Sequence, residues 1–417
     1  MDDDIEKIPS KIPLEQFDVS RFPKDKIREM FSSGRIPTAE AMIQEILLRA
    51  FKGKATDLHL EPTETELRIR LGQEGVLKKL VSLPREVADS LTSILKTKAG
   101  VNAFEKKKTQ EGRFSMTLAA HEFDIRLNTI PILSGERVAL RILRKNSAIS
   151  KLEELGFSAE NLGRVQALLR KPAGLFLATG PAGSGKSTTV YAAVNSLQSP
   201  EKNILTIEDP VEYKLEYASQ VAAAGDKTVT FAEAIRSILR QNPNVIMIGE
   251  IRDVETCIAA AEAAVTGNLV LSTMLSSDGV GTIHRLLHLG VPPYWLSSSL
   301  SGVVYQLMVR KICTGCREEV TPPEVPPSFS GAAGTGGKFF RGKGCPTCEN
   351  SGYLGRTVIH EIVSMTDGLR DLIYRNGSIG QMKEAAKAGG FEGISVDAAK
   401  KVNDGIISIE EYVRVFG

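Results

Sequence analysis

The chain has 417 residues, 42% hydrophobic and 24% charged, and its 52 basic and 50 acidic side chains leave a formal net charge of +2. That length calls for more than one domain, and the composition is ordinary for a globular protein. The near-neutral balance argues against a general nucleic-acid binder, and no run of about 18 uncharged apolar residues offers a membrane span.

Met1 to Asp4 are acidic at three of four positions and precede no apolar run, so no signal peptide is expected. Residues 1–37 are polar and punctuated by Pro9, Pro13, Pro23 and Pro37, which reads as a tail or a loosely packed lead-in. Thr38 then opens a helix, with Ile43, Ile46, Leu47 and Ala50 at helical spacing. From Asp57 the period changes to two. Leu67, Ile69 and Leu71 alternate with Arg68 and Arg70; Phe123, Ile125 and Leu127 with Asp124 and Arg126; Val138, Leu140 and Ile142 with Arg137, Ala139 and Arg141. The pattern predicts half-buried strands of an antiparallel sheet with one arginine-rich face, in an α+β domain at about 38–147.

Beyond residue 150 strands alternate with helices. Gly174–Thr179, Ile204–Ile207, Val245–Ile248 and Leu269–Thr273 read as buried strands. Lys186–Leu197 reads as a helix, Thr230 and Glu233 are spaced as a capping box, and an alanine-rich helix opens at Asp253. This alternation predicts a parallel α/β sheet. Residues 321–344, including Gly331 to Gly337, read as a flexible loop, and helical segments close the chain from about 366.

Gly180-Pro181-Ala182-Gly183-Ser184-Gly185-Lys186-Ser187-Thr188 matches the phosphate-loop pattern GxxxxGK[ST]. Glycines let successive backbone N–H groups curl around an anion, and the following helix points its positive end at the phosphates. Lys186 is expected to meet the β and γ phosphates and the Ser187 hydroxyl to ligate Mg²⁺. A chance glycine-rich loop fits the setting between a buried strand and a helix poorly. GTP is disfavoured because no Asn-Lys-x-Asp motif occurs. Glu250 follows the apolar strand Val245–Ile248, taken to lie beside the phosphate-loop strand, and suits a Walker-B role in holding Mg²⁺. Glu208, Asp209 and Glu212 follow the strand Ile204–Ile207, at the end where α/β sheets bind ligands, although an acidic surface turn around Pro210 has the same sequence.

These residues sit among motifs that together resemble the secretion ATPase superfamily. Thr206-Ile-Glu-Asp-Pro-Val-Glu212 resembles its Asp box, and Leu239 to Asp253 its Walker-B segment. Asp57-Leu-His-Leu-Glu-Pro62, Gln110-Glu-Gly-Arg113 and Gly135-Glu-Arg137 resemble motifs of its N-terminal sheet domain. The resemblance runs from about residue 38 to 417. It implies a PAS-like sheet domain at 38–147 and a RecA-like P-loop ATPase domain at 148–310. A four-cysteine segment at 311–352 and a helical region at 353–417 would follow. It also implies a ring-shaped homo-hexamer with each ATP held between a RecA-like domain and a sheet domain. By resemblance Glu212 orients or deprotonates the attacking water, Glu250 supports Mg²⁺, and Arg113 and Arg126 reach the phosphates. Period two puts Arg126 opposite its apolar neighbours, as it would on any solvated sheet face.

The chain departs from the family in three places. Residues 1–37 are too short for the large domain by which secretion members dock on their membrane platform, so that domain is expected to be absent. Leu71-Gly-Gln-Glu-Gly75 replaces a Val-Asp-Gly turn. Thr266 to Asp278 resembles the His box, but Asn268 and Leu275 stand where the family has histidines.

Cys313, Cys316, Cys345 and Cys348 form two CxxC pairs, a spacing that lets two knuckles close a tetrahedral structural Zn²⁺ site. A redox CxxC would want a thioredoxin-like context, which is missing. Cys257 lies in the alanine-rich helix and reads as core. Within the superfamily the CxxC pairs point to the type II secretion and type IV pilus assembly branch. The implied partners are a membrane-embedded assembly platform and its accessory proteins, met peripherally at the cytoplasmic face of the bacterial plasma membrane. No sequence-specific nucleic acid is expected. A hydrolysing motor is the leading reading. An ATP-binding regulator or scaffold with weak or no hydrolysis is the second, motivated by the missing histidines, and a DNA-translocating ring is disfavoured by the charge.

Overall fold

The computed structural model describes residues 5, 7–20, 37–73, 75–118, 121–144, 149–223, 230–321, 325–329 and 338–417. The chain divides into two compact units, residues 1–147 and 148–417.

The first unit is a six-stranded antiparallel sheet with helices packed against it. Helix α1 (Ala39–Lys52) starts at Thr38, whose hydroxyl accepts the N–H of Ala41. Strands β1 (Asp57–Pro62), β2 (Glu66–Gln73) and β3 (Val76–Pro84) precede helix α2 (Ala88–Lys98). Strands β4 (Gln110–Leu118), β5 (His121–Ile132) and β6 (Gly135–Arg144) complete the sheet, in the order β3-β2-β1-β6-β5-β4. Its period-two apolar set is the buried face: Leu67, Ile69, Phe123, Ile125, Leu127, Val138 and Leu140 share one core with Met42, Ile46 and Leu47 of α1. Glu136 of the Gly-Glu-Arg motif pairs with the fully buried ammonium of Lys96 at 2.7 Å.

The lead-in is more than a loose tail. Ile5, Leu14 and Phe17 are buried in this core, and the Lys11 backbone N–H donates to the Glu45 carboxylate at 3.1 Å. Each apolar side chain so buried contributes about 1.5–3 kcal/mol. They are too few and too irregularly spaced to give a periodic signal. Residues 21–36 and Gly331 to Gly337 lie outside the described residues.

The second unit is a seven-stranded sheet covered on both faces. Its elements are α3 (Ala159–Leu169), β7 (Gly174–Gly180), α4 (Lys186–Leu197), β8 (Ile204–Glu208), β9 (Ala218–Ala222), α5 (Phe231–Leu239), β10 (Val245–Ile248), α6 (Val254–Val265), β11 (Leu269–Leu275), α7 (Gly279–His288), α8 (Pro293–Ser299) and β12 (Leu300–Ile312). A ribbon of β13 (Arg317–Val320) and β14 (Phe339–Gly342) follows, then β15 (Tyr353–Ser364) and helices α9 (Asp367–Tyr374), α10 (Ile379–Ala388), α11 (Ile394–Asn403) and α12 (Ile409–Phe416). The sheet order is β15-β12-β7-β11-β10-β8-β9, and only the β12–β15 pairing is antiparallel. Apolar strands such as Leu175–Ala178 and Val245–Ile248 are buried on both sides, as helix-covered parallel strands require.

One boundary differs from the sequence reading. The region from 353 opens not with a helix but with the twelve-residue strand β15, and the helices begin at Asp367. Its outer half alternates in burial, while Val358–Val363 is continuously buried, so neither half shows a helical period. The strand pairs with β12, so the cysteine segment is an excursion between two neighbouring strands of one sheet.

Candidate nucleotide site and cysteine cluster

Strand β7 delivers the glycine-rich loop at its C-terminal end, and α4 begins immediately after it. Gly180, Gly183 and Gly185 adopt φ of 148°, 75° and 88°, which side chains rarely reach. A Cβ at Gly180 would meet the Gln306 carbonyl oxygen at 2.3 Å and Ser184 Oγ at 2.6 Å. The loop is held from β12: Gln306 donates from Nε2 to the Ser184 carbonyl at 2.7 Å and accepts from Thr189 Oγ1 at 2.8 Å. No sequence signal singled out Gln306, because a lone glutamine in an apolar strand carries no spacing pattern.

Lys186 Nζ donates to the carbonyls of Gly180 at 3.1 Å and Pro181 at 2.8 Å, so its ammonium lies over the loop. Burial lowers its pKa, and the nearby charge of Glu250 works the other way. The loop, the lysine and the half-buried start of α4 therefore fit the phosphates of a nucleotide, and Ser187 lies in the first turn of α4. Pro181, Ala182 and Gly183 form the exposed rim of the loop, Thr188 follows Ser187 into α4, and Ser184 Oγ is a buried hydroxyl with no hydrogen-bond partner among the described residues.

The acidic residues separate. Glu250 follows β10, but β10 is not the neighbour of β7: β11 lies between them. Glu250 still reaches the electrostatic environment of Lys186, and it pairs with Arg252 at 2.7 Å. Glu208 is only 2% exposed. Its carboxylate accepts from Tyr191 Oη, from Thr206 Oγ1 at 2.7 Å and from Gln220 Nε2 at 3.0 Å. Tyr191 Oη in turn accepts the backbone N–H groups of Glu212 at 3.0 Å and Tyr213 at 3.2 Å. Glu208 is thus engaged in fixing the segment that carries Glu212 and offers no free carboxylate to a nucleotide. The Glu212 side chain itself is exposed.

The two His-box positions are at opposite ends of β11. Leu275 is the last residue of the strand, pairs with Gly180 and is 41% exposed. Asn268 precedes the strand and is buried, with Nδ2 donating to the Ala263 carbonyl at 2.8 Å at the end of α6.

In the first unit Arg113, Arg126 and Arg141 stand opposite one another across β4, β5 and β6. Arg141 pairs with Asp57 at 3.2 Å, whereas Arg126 Nη2 is buried without a hydrogen-bond partner among the described residues. Like charges directly opposite one another destabilise a sheet, and the Arg141–Asp57 pair offsets part of that repulsion.

The four cysteine sulfurs lie within 4.8 Å of one another. The Cys313–Cys345, Cys316–Cys348 and Cys345–Cys348 separations are 3.9, 3.8 and 3.7 Å. Four thiolates about 2.3 Å from one Zn²⁺ would stand about 3.8 Å apart, so the cluster fits that ion. Cys348 Sγ accepts N–H groups from Cys345 at 3.2 Å and Gly352 at 3.3 Å. Burial pushes its thiol up, but these donors bring it down to about 6. Cys257 is buried in α6, as a core residue should be. Among the described residues no helix is long and apolar enough to cross a membrane.

A model of the family described as type II/IV secretion system protein matches residues 34–414. The chain is 40% identical over 374 residues to the type II secretion system protein HxcR of Pseudomonas aeruginosa, covering 90% of this chain and 76% of that protein. It is 37% identical over 409 residues to the type IV pilus assembly ATPase PilB of Thermus thermophilus, covering 97% of this chain and 44% of that protein. Among solved structures it resembles the pilus retraction motor PilT with bound ADP, at 24% identity and a TM-score of 0.59, covering 89% of this chain and 95% of that one. It also resembles the Legionella pneumophila ATPase DotB, at 20% identity and a TM-score of 0.66, covering 90% and 95%. At these identities the structural likeness is one of fold.

Proposed function

The chain belongs to the type II/IV secretion system protein family, and from that membership we propose that it is a hexameric ATPase motor powering type II secretion or type IV pilus assembly. The observation that carries this reading is the loop at the end of β7, where positive-φ glycines and the Lys186 ammonium come together at the start of α4.

In this reading Lys186 and the N–H groups opening α4 hold the β and γ phosphates. Mg²⁺, when bound, neutralises charge on those phosphates, and Ser187 and Glu250 are its protein-side supports. Glu212, held through its backbone N–H by Tyr191, takes the proton of the attacking water. Arg113 and Arg126 set positive charge against the negative charge that builds on the oxygens of the transferred phosphoryl. Glu208 acts at one remove, through Tyr191. The four cysteines hold a structural Zn²⁺ that closes the excursion between β12 and β15, with no ligand position left for chemistry. The partners are five further copies of the chain and a membrane-embedded assembly platform, met peripherally at the cytoplasmic face.

A weakly hydrolysing scaffold is the second reading, favoured by the exposed Leu275 beside Gly180, which offers no hydrogen bond to phosphate or water. The test is steady-state ATP hydrolysis across protein concentration, with oligomeric state measured by light scattering. Turnover that rises with the hexamer fraction supports the motor. Hydrolysis by a monomer with no dependence on assembly refutes it.

A further inference from the structure

Glu361 lies in β15 and is only 5% exposed. One carboxylate oxygen accepts the backbone N–H of Gly279 at 2.5 Å, and the other accepts that of Ile394 at 2.9 Å. Gly279 is the first residue of α7 and Ile394 the first residue of α11. A helix start carries unpaired N–H groups and roughly half a positive charge. One carboxylate therefore closes the positive ends of two helices that are far apart in sequence. α11 depends on it most, because its N-cap, Gly393, supplies no side-chain hydrogen bond.

The two helices differ in what they touch. The start of α7 belongs to the phosphate end of the sheet. It follows the turn Ser276–Asp278, which leaves β11 just after Leu275 pairs with Gly180. Ser276 Oγ donates to the Asp278 carbonyl at 3.0 Å, and Thr282 Oγ1 lies 3.3 Å from Thr179 Oγ1 in β7. α11 instead packs on β15 and belongs to the C-terminal helices. Position 279 has no room for a side chain: a Cβ would meet Val363 Cγ2 at 2.9 Å and the Glu361 carboxylate at 3.1 Å.

We propose that Glu361 is a positioning residue that couples the turn beside the phosphate loop to the first turn of α11, carrying a nucleotide-dependent shift into the C-terminal helices. This rests on the reading of Gly180–Thr188 as a nucleotide site. A pin that served stability alone would hold the two helices in place without transmitting anything between them.

The test is hydrogen–deuterium exchange of the full chain with and without Mg²⁺ and the non-hydrolysable analogue AMP-PNP. The analogue should slow exchange in the wild type at residues 180–188 and, at least about fivefold, at residues 395–397. Glu361→Gln offers one acceptor oxygen and an NH₂ group that faces a donor. It should keep the protection at 180–188 and lose that at 395–397. If that variant folds poorly, Ile394→Pro keeps the carboxylate and removes the second donor, together with the partly buried Ile394 side chain. Proline is accepted at the first helical position, and Gly393, at φ −67° and ψ 156°, suits the residue before it. It should show the same separation. Protection at 180–188 with no change at 395–397 in the wild type overturns the proposal, as does remote protection that survives in Glu361→Gln. No protection at 180–188 overturns the nucleotide reading itself, and the coupling falls with it.

Discussion

Replacing Leu275 by histidine should speed ATP cleavage. Leu275 ends β11 opposite Gly180 and is 41% exposed, so an imidazole there sacrifices little buried surface and should change stability by no more than about 0.5 kcal/mol. A hydrogen bond from the new ring to a charged phosphate oxygen is worth about 1.5–3 kcal/mol. Made in the transition state alone, it raises the rate by about 10- to 100-fold. The partner position behaves differently. Asn268 lies seven residues earlier, roughly 23 Å away along an extended strand, and cannot reach the same phosphate. Its amide closes the end of α6 through the Ala263 carbonyl, so Asn268→His should leave the rate unchanged and lower stability by about 1 kcal/mol. The assay is single-turnover hydrolysis at saturating protein, with nucleotide affinity measured separately. No gain in Leu275→His at unchanged affinity would refute the reasoning, and so would a gain in Asn268→His.

Protein purified without chelator should carry about one zinc per chain by elemental analysis, and stripping it with a thiol reagent should loosen residues 313–352 while ATP still binds. Glu212→Gln should slow cleavage by about 10²- to 10⁴-fold with little change in nucleotide affinity, measured by single turnover and equilibrium titration. Glu411, fully buried, receives Arg310 at 2.6 Å and Arg414 at 2.6 Å, and Glu411→Gln should cost about 3 kcal/mol in denaturant unfolding. Burial acts to raise the Glu411 pKa, but hydrogen bonds from Arg414 and Arg310 hold it below the usual range. Its stabilisation is therefore complete above about pH 4.3, the unfolded value, and is lost as the pH falls through the lower folded value. A wild-type minus variant difference that grows on acidification would contradict this.

The sequence was most informative where spacing and burial coincide. The alternation at Leu67–Leu71, Phe123–Leu127 and Val138–Ile142 is the buried face of the first sheet, and the capping pair Thr230–Glu233 does open α5. Strand neighbours were not legible, because nothing in a local pattern says that β11 is inserted between β7 and β10. Nor was the state of a carboxylate. Glu208 and Glu212 are both acids after one strand, yet Tyr191, Thr206 and Gln220 bury the first and leave the second exposed. Gln306 and Glu361 were invisible for the same reason: each acts through backbone atoms more than a hundred or several tens of residues away. The lead-in was misjudged because three scattered apolar residues carry no period, although the core receives them.

The account depends most on Gly180–Thr188 acting as a catalytic phosphate loop, and Lys186→Ala tests it most directly. Among the described residues the Lys186 ammonium bonds only to the Gly180 and Pro181 carbonyls, so its loss should leave the fold intact, which circular dichroism would verify. Steady-state phosphate release by the wild-type chain should depend on Mg²⁺ and fall by at least about 10²-fold in the variant. A folded Lys186→Ala protein that hydrolyses ATP at the wild-type rate would contradict the account.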